Sequence, residues 1–162
     1  MRLAIELAAE NVRQGTGGPF GAIVADTRLG EVVGVGVNLV TSSLVSMAHA
    51  EIVALSLSQA TEGDWDLSHK RPLTLFATCE PCAMCFGALP WSGIETLVVG
   101  ARTADAEAAG FDEGAKPDRW IEALAARGIA VRTDVLRDEA VKLFELYREL
   151  GGEIYGPREV RA

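Results

Sequence analysis

The 162-residue chain offers no disulfide framework: its three cysteines, Cys79, Cys82 and Cys85, fall within seven residues, an odd and crowded set that pairs poorly. No apolar run approaches the roughly 18 residues that a membrane helix needs. The start, Met1-Arg2-Leu3-Ala4-Ile5-Glu6, meets an acid too soon to read as a secretion signal. Basic charge is in deficit, 15 Lys and Arg against 23 Asp and Glu, for a net charge of −8. A polyanion meets net repulsion here, so nucleic acid and anionic membranes are disfavoured as partners. Lys70-Arg71 and the C-terminal arginines remain as the material for a local basic patch. Repeats, low-complexity tracts and Pro/Ser-rich linkers are also lacking, and at 49% hydrophobic and 23% charged residues the composition excludes disorder. These absences predict one soluble, cytoplasmic domain over residues 1–162, acting on a small neutral molecule.

What is present alternates in an ordered way. Residues 2–14 place Leu3 and Leu7, and Ala4, Ala8 and Val12, at helical spacing, and Gly15-Thr16-Gly17-Gly18-Pro19 stops the helix. Residues 20–26 and 31–37 are rich in Val and Ile around a short polar break, which predicts a hairpin. A helix over 49–60 follows, then a strand at 73–77, a helix opened near Pro81, a strand at 95–101, a helix at about 118–127, a strand at 129–133 and a helix over 136–150. From residue 73 the order strand, helix, strand, helix, strand, helix argues for parallel strands with right-handed crossovers. The expected fold is α/β, a three-layer αβα domain with a five-stranded mixed sheet that begins with an antiparallel hairpin.

Two short motifs carry the chemistry. Cys82 and Cys85, at i and i+3, share a helix face behind a predicted strand, and a helix N-terminus favours the thiolates that bind zinc. His49, 33 positions earlier, supplies a third ligand. One His and two Cys leave the fourth tetrahedral position of Zn2+ to water, the arrangement of a catalytic site. Such a site needs a general base, and Glu51 is the candidate. On a regular helix i and i+2 do not share a face, so His49 is expected at the helix beginning with the metal off its end. His-x-Glu followed by Pro-Cys-x-x-Cys is the zinc deaminase signature. A redox Cys82–Cys85 pair leaves His49-x-Glu51 unexplained. A closed structural site needs Cys79 or His69 as fourth ligand.

At these residues the chain resembles the cytidine deaminase superfamily. The resemblance runs from Gly18-Pro19-Phe20-Gly21-Ala22 through Ala48-His49-Ala50-Glu51 to Cys79-Glu80-Pro81-Cys82-Ala83-Met84-Cys85. The stretch Gly110-Phe111-Asp112-Glu113-Gly114 is similar to bacterial guanine deaminases. The resemblance implies a cytidine deaminase-like fold, Zn2+ on His49, Cys82 and Cys85, and proton transfer by Glu51 with Glu113 as a second carboxylate. It also implies Asn38 and Ala50 in the substrate site, and a homodimer. Phe20 and Trp91 are candidates to pack on a planar base. Trp120 and Tyr155 are weaker ones, Tyr155 as a residue that closes the partner subunit's site.

The expected activity is zinc-dependent hydrolytic deamination of a free nucleobase, foremost guanine to xanthine and ammonia. Cytosine-type, triazine (ammeline-like) and altered bases such as isoguanine or 8-oxoguanine are alternatives. A tRNA adenosine deaminase fits the acidic balance less well. A non-catalytic zinc-stabilised interaction domain is the reading from a different class.

Overall fold

A computed structural model describes residues 1–157. The N-terminal helix α1 (Arg2–Arg13) leads into a hairpin of β1 (Gly21–Asp26) and β2 (Glu31–Val37). The turn is stapled by Asp26, whose carboxylate accepts the N–H groups of Arg28 and Leu29. A one-turn helix α2 (Val40–Ser43) precedes α3 (Ala50–Glu62) and a short 3-10 turn (Leu67–His69). The crossovers then follow: β3 (Thr74–Cys79), α4 (Ala83–Ser92), β4 (Thr96–Ala101), α5 (Thr103–Ala108), α6 (Trp120–Ala125), β5 (Ala130–Arg132) and α7 (Arg137–Glu149).

The sheet order is β2-β1-β3-β4-β5. β1 is antiparallel to both β2 and β3, whereas β3, β4 and β5 run parallel. This is the mixed five-stranded sheet that the alternation predicts. Helices α3, α4 and α6 cover one face, and α1, α5 and α7 the other. The first face holds the larger core, with Val24, Leu75, Leu97 and Val99 against Ala54, Leu55, Leu89 and Leu124. The second holds an aromatic cluster in which Phe111, Phe144 and Tyr147 pack with Val12 and Cys79.

Two features of this frame place the site. A side chain at Gly36 would collide with backbone atoms of Ala50 and Ala54, so glycine there lets the first turn of α3 lie directly on β2. The C-terminal ends of β2 and β3 and the start of β1 also meet at one edge, since Gly21 pairs with Val37 and Ala22 with Ala77. Crevices beyond the carboxyl ends of parallel strands are where α/β folds bind ligands.

Candidate active site

His49 and Cys82 occupy equivalent places. Each has extended backbone and serves as the N-cap of its helix, His49 for α3 and Cys82 for α4. Neither side chain caps its own helix, so the imidazole and the thiol are free to turn toward each other. Cys85, one turn into α4, joins them. Their ligand atoms lie within 4.8 Å of one another, with the Cys82 and Cys85 Sγ atoms at 3.5 and 3.6 Å from His49 Nδ1. An ion that holds nitrogen near 2.05 Å and sulfur near 2.3 Å in tetrahedral geometry separates the two atoms by about 3.6 Å. The donor set and its spacing therefore fit zinc through Nδ1.

Nothing closes the fourth position among the described residues. Cys79 ends β3, is buried, and donates its thiol to the Arg102 carbonyl at 3.7 Å. His69 is held elsewhere, its Nδ1 3.2 Å from Asp64 and its Nε2 3.5 Å from Asp66.

The polarity of the site follows from its burial. The Cys85 hydrogen bond pulls the Cys82 thiol down to about 4, against its desolvation, while Cys85 is driven up in turn. Glu51, in the first turn of α3, is buried; loss of solvent raises its pKa, and the Cys82 thiolate adds to the rise. Glu113 is also buried and is pushed up to about 8, first by desolvation and then by the Cys82 and Glu51 charges. Burial draws the His49 pKa down, but the Cys82 hydrogen bond and the nearby carboxylates outweigh it and leave it raised.

His49, Glu51, Cys82 and Glu113 share one cavity of about 430 Å³, lined also by Phe20, Asn38 and Tyr155, with Cys85 buried behind it. The volume is that of a small-molecule site. Asn38 follows β2 and is 1% exposed. Its Oδ1 accepts the N–H groups of Gly18 and Val40 at 3.3 and 3.2 Å, which fixes the amide so that its NH2 is the group left for a ligand. Phe20 bridges the aromatic cluster, 5.0 Å from Phe111 and 5.7 Å from Phe144 between ring centroids. Tyr155 lines the cavity of its own chain, with its hydroxyl buried and unpaired among the described residues.

Three residues expected in the substrate set lie outside the cavity lining. Trp91 does not reach the cavity: it is 77% exposed on the last turn of α4 and borders a separate groove. The Ala50 side chain is packed in the core under β2 and is absent from the cavity lining. Trp120 is buried in that same core. Of the residues named for a basic patch, Arg71 is paired with Asp26, Glu31 and Glu62, and Arg158 and Arg161 lie outside the described residues.

Two residues escaped the sequence reading. Asn11 is buried in α1, where its Nδ2 donates to the carbonyls of Gly18 and Asn38 at 3.0 and 2.8 Å, joining the two segments that frame the cavity edge. A polar residue on the Ala4-Ala8-Val12 stripe was the available signal. Glu80 lines the cavity and accepts the N–H and hydroxyl of Thr103 at 3.1 and 2.8 Å, a contact that no local spacing announces.

The profile of the cytidine and deoxycytidylate deaminase zinc-binding region matches residues 1–101. The chain belongs to this family. The deaminase is 37% identical over 113 residues to the guanine deaminase of Bacillus subtilis, an alignment that covers 70% of this chain and 69% of that one. It is 37% identical over 83 residues to a tRNA-specific adenosine deaminase of Streptococcus pyogenes, and spans about half of that relative's length, 49%. A solved structure of guanine deaminase from Nitrosomonas europaea superposes with a TM-score of 0.88 at 44% identity, covering 91% of this chain and 81% of that chain. The deaminase is a zinc-dependent hydrolase of the αβα class.

Proposed function

We propose that this deaminase hydrolyses a free purine base, converting guanine and water to xanthine and ammonia. The observation that carries the reading is Glu113: a second buried carboxylate in the cavity that holds Glu51 and the His49-Cys82-Cys85 group. The similarity to guanine deaminases of two organisms points the same way.

Zinc, when bound by His49, Cys82 and Cys85, supplies Lewis-acid activation of a water molecule. Glu51 accepts a proton from that water as its oxygen bonds to C2 of the base, and passes the proton to the ring nitrogen N3. Glu113, whose pKa burial raises, gives a proton to the departing amine. The C2–N bond then breaks and ammonia leaves, while the new hydroxyl returns its remaining proton to the Glu113 carboxylate and becomes the second carbonyl of xanthine. The Asn38 NH2 donates to an acceptor on the base edge, and Phe20 and Tyr155 flank the base plane.

A homodimer is part of this proposal. α4 carries no charged residue, yet Gly87, Pro90 and Trp91 are exposed on it. A helix apolar on every side belongs under cover, and a second copy is the occupant we assign. We place the enzyme in the cytoplasm, where the Cys82 and Cys85 thiols stay reduced and available to metal.

The test is ammonia release by zinc-loaded protein from guanine, isoguanine, 8-oxoguanine, adenine, cytosine, ammeline and their nucleosides. Guanine turnover above the others, abolished in Glu51→Gln, is the expected result. Turnover of a pyrimidine or triazine alone would falsify the guanine reading and leave the zinc chemistry intact.

A further inference from the structure

Lys116 lies three residues beyond Glu113, in the loop between α5 and α6, with its side chain only 8% exposed. Its ammonium donates to the Pro81 carbonyl at 2.9 Å and to the Thr103 hydroxyl at 2.7 Å. It sits 3.7 Å from a Glu80 carboxylate oxygen and 4.8 Å from the centroid of the Trp120 ring. Lysine is seldom buried, and an ammonium without partners loses several kcal/mol of hydration. Here every direction is provided for: two hydrogen bonds, a carboxylate and an aromatic face.

The partners matter for where they lie. The Pro81 carbonyl immediately precedes Cys82. The next residue after Cys82, Ala83, donates its N–H to the Glu113 carbonyl at 2.8 Å. The segment that carries Glu113 is thus fastened on both sides of one zinc-ligand residue, by a backbone bond on one side and by the Lys116 ammonium on the other. The Lys116 N–H also donates to the Gly114 carbonyl at 3.0 Å, a tight turn in the loop just after Glu113. We propose that Lys116 is a positioning residue for deamination: it clamps the 111–116 loop to the Glu80–Ala83 turn and so fixes the Glu113 carboxylate relative to the metal group.

The inference rests on the role given to Glu113, and two measurements on the zinc-loaded enzyme separate the two ideas. Lys116→Met fills the same buried slot without charge. We expect kcat per bound zinc to fall on the order of tenfold to a hundredfold, since small misplacements of a reacting group have effects of that size. KM should stay within about threefold, zinc content should be unchanged, and Lys116→Arg should restore most of kcat. An unchanged kcat, a loss matched by loss of zinc, or an arginine variant no better than methionine overturns the positioning role in deamination; the clamp itself is read from amide exchange. Where the methionine variant does not fold, Thr103→Val removes the hydroxyl partner and is read by the same ratio. Amide exchange at Ala83 is the second measurement: at least a tenfold faster rate in Lys116→Met shows that the clamp holds the Glu113 segment, whatever the substrate. Fast Ala83 exchange with intact turnover would leave the clamp standing and remove Glu113 from the reaction; slow exchange would remove the clamp.

Discussion

Replacing Asn38 by Asp separates what the residue does for the fold from what it does for the ligand. The Oδ1 atom accepts two backbone N–H groups, from Gly18 and Val40, and an aspartate retains both. Leucine retains neither, and leaving two buried donors unpaired costs roughly 1–3 kcal/mol each, so Asn38→Leu should lose about 2–6 kcal/mol of stability. Asn38→Asp keeps both bonds but places a carboxylate where burial opposes its charge, so in urea melts it should lose stability, though less than Asn38→Leu. For the ligand the ranking inverts. The aspartate presents an acceptor where the amide offered a donor, so a base acceptor loses a hydrogen bond worth about 1.5 kcal/mol and meets a repulsion of similar size. Together about 3 kcal/mol corresponds to a fall in kcat/KM on the order of a hundredfold. Paired urea melts and steady-state ammonia release read both quantities on the same preparations. Wild-type kcat/KM in Asn38→Asp would show that the amide NH2 is not read by substrate. Equal instability of the two variants would show that the two backbone bonds do not carry the fold at this edge.

Further outcomes follow from the same geometry. Glu51→Gln should keep one zinc per chain and lose turnover by at least a thousandfold, because the ligand set is intact and the base is gone; metal analysis beside ammonia release checks it. Glu113→Gln should lower kcat by tenfold or more without loss of zinc, and wild-type kinetics would exclude it from proton transfer. Asp105 and Asp134, hydrogen-bonded to Arg137 and Arg102, have pKa values below the ordinary carboxylate range. A depressed folded-state pKa gives stability that is present above the unfolded value near 3.9 and lost as pH falls through the folded one. The contribution of these two pairs should therefore be complete from about pH 5 upward and weaken below about pH 4, so urea melts should show a shallower acid limb in Asp105→Asn. A steeper limb in that variant would refute the assignment.

The long elements were legible because each has a period and a stop. α1, α3, α7 and all five strands fall within two residues of the expected limits. The missed pieces are short: α2 spans 4 residues, the 3-10 turn 3 and α5 6, too few to show a period. α5 had a terminal signal, since Asp105 accepts the Arg102 N–H at 2.8 Å. The metal group was legible because all three ligands sit at helix starts, where motif spacing and geometry coincide. Trp91 misled for a physical reason. When every side of a helix is apolar, as in α4, the pattern does not say which side faces the protein. Lys116 was invisible, because a loop lysine carries no periodicity and its partners come from 13 and 35 residues away.

The order of the site along the chain has a consequence for how such enzymes change. The ligands for zinc, with Glu51 and Asn38, are borne before residue 101 by segments locked to the sheet. Glu113 arrives later, on the connection between α5 and α6, and Tyr155 on the segment that follows α7. A lineage can lengthen, shorten or rewrite those connections without disturbing the grip on the metal. On the roles proposed for Glu113 and Tyr155, that part of substrate choice is a removable fitting on a fixed reactor, open to change through the second half of the chain.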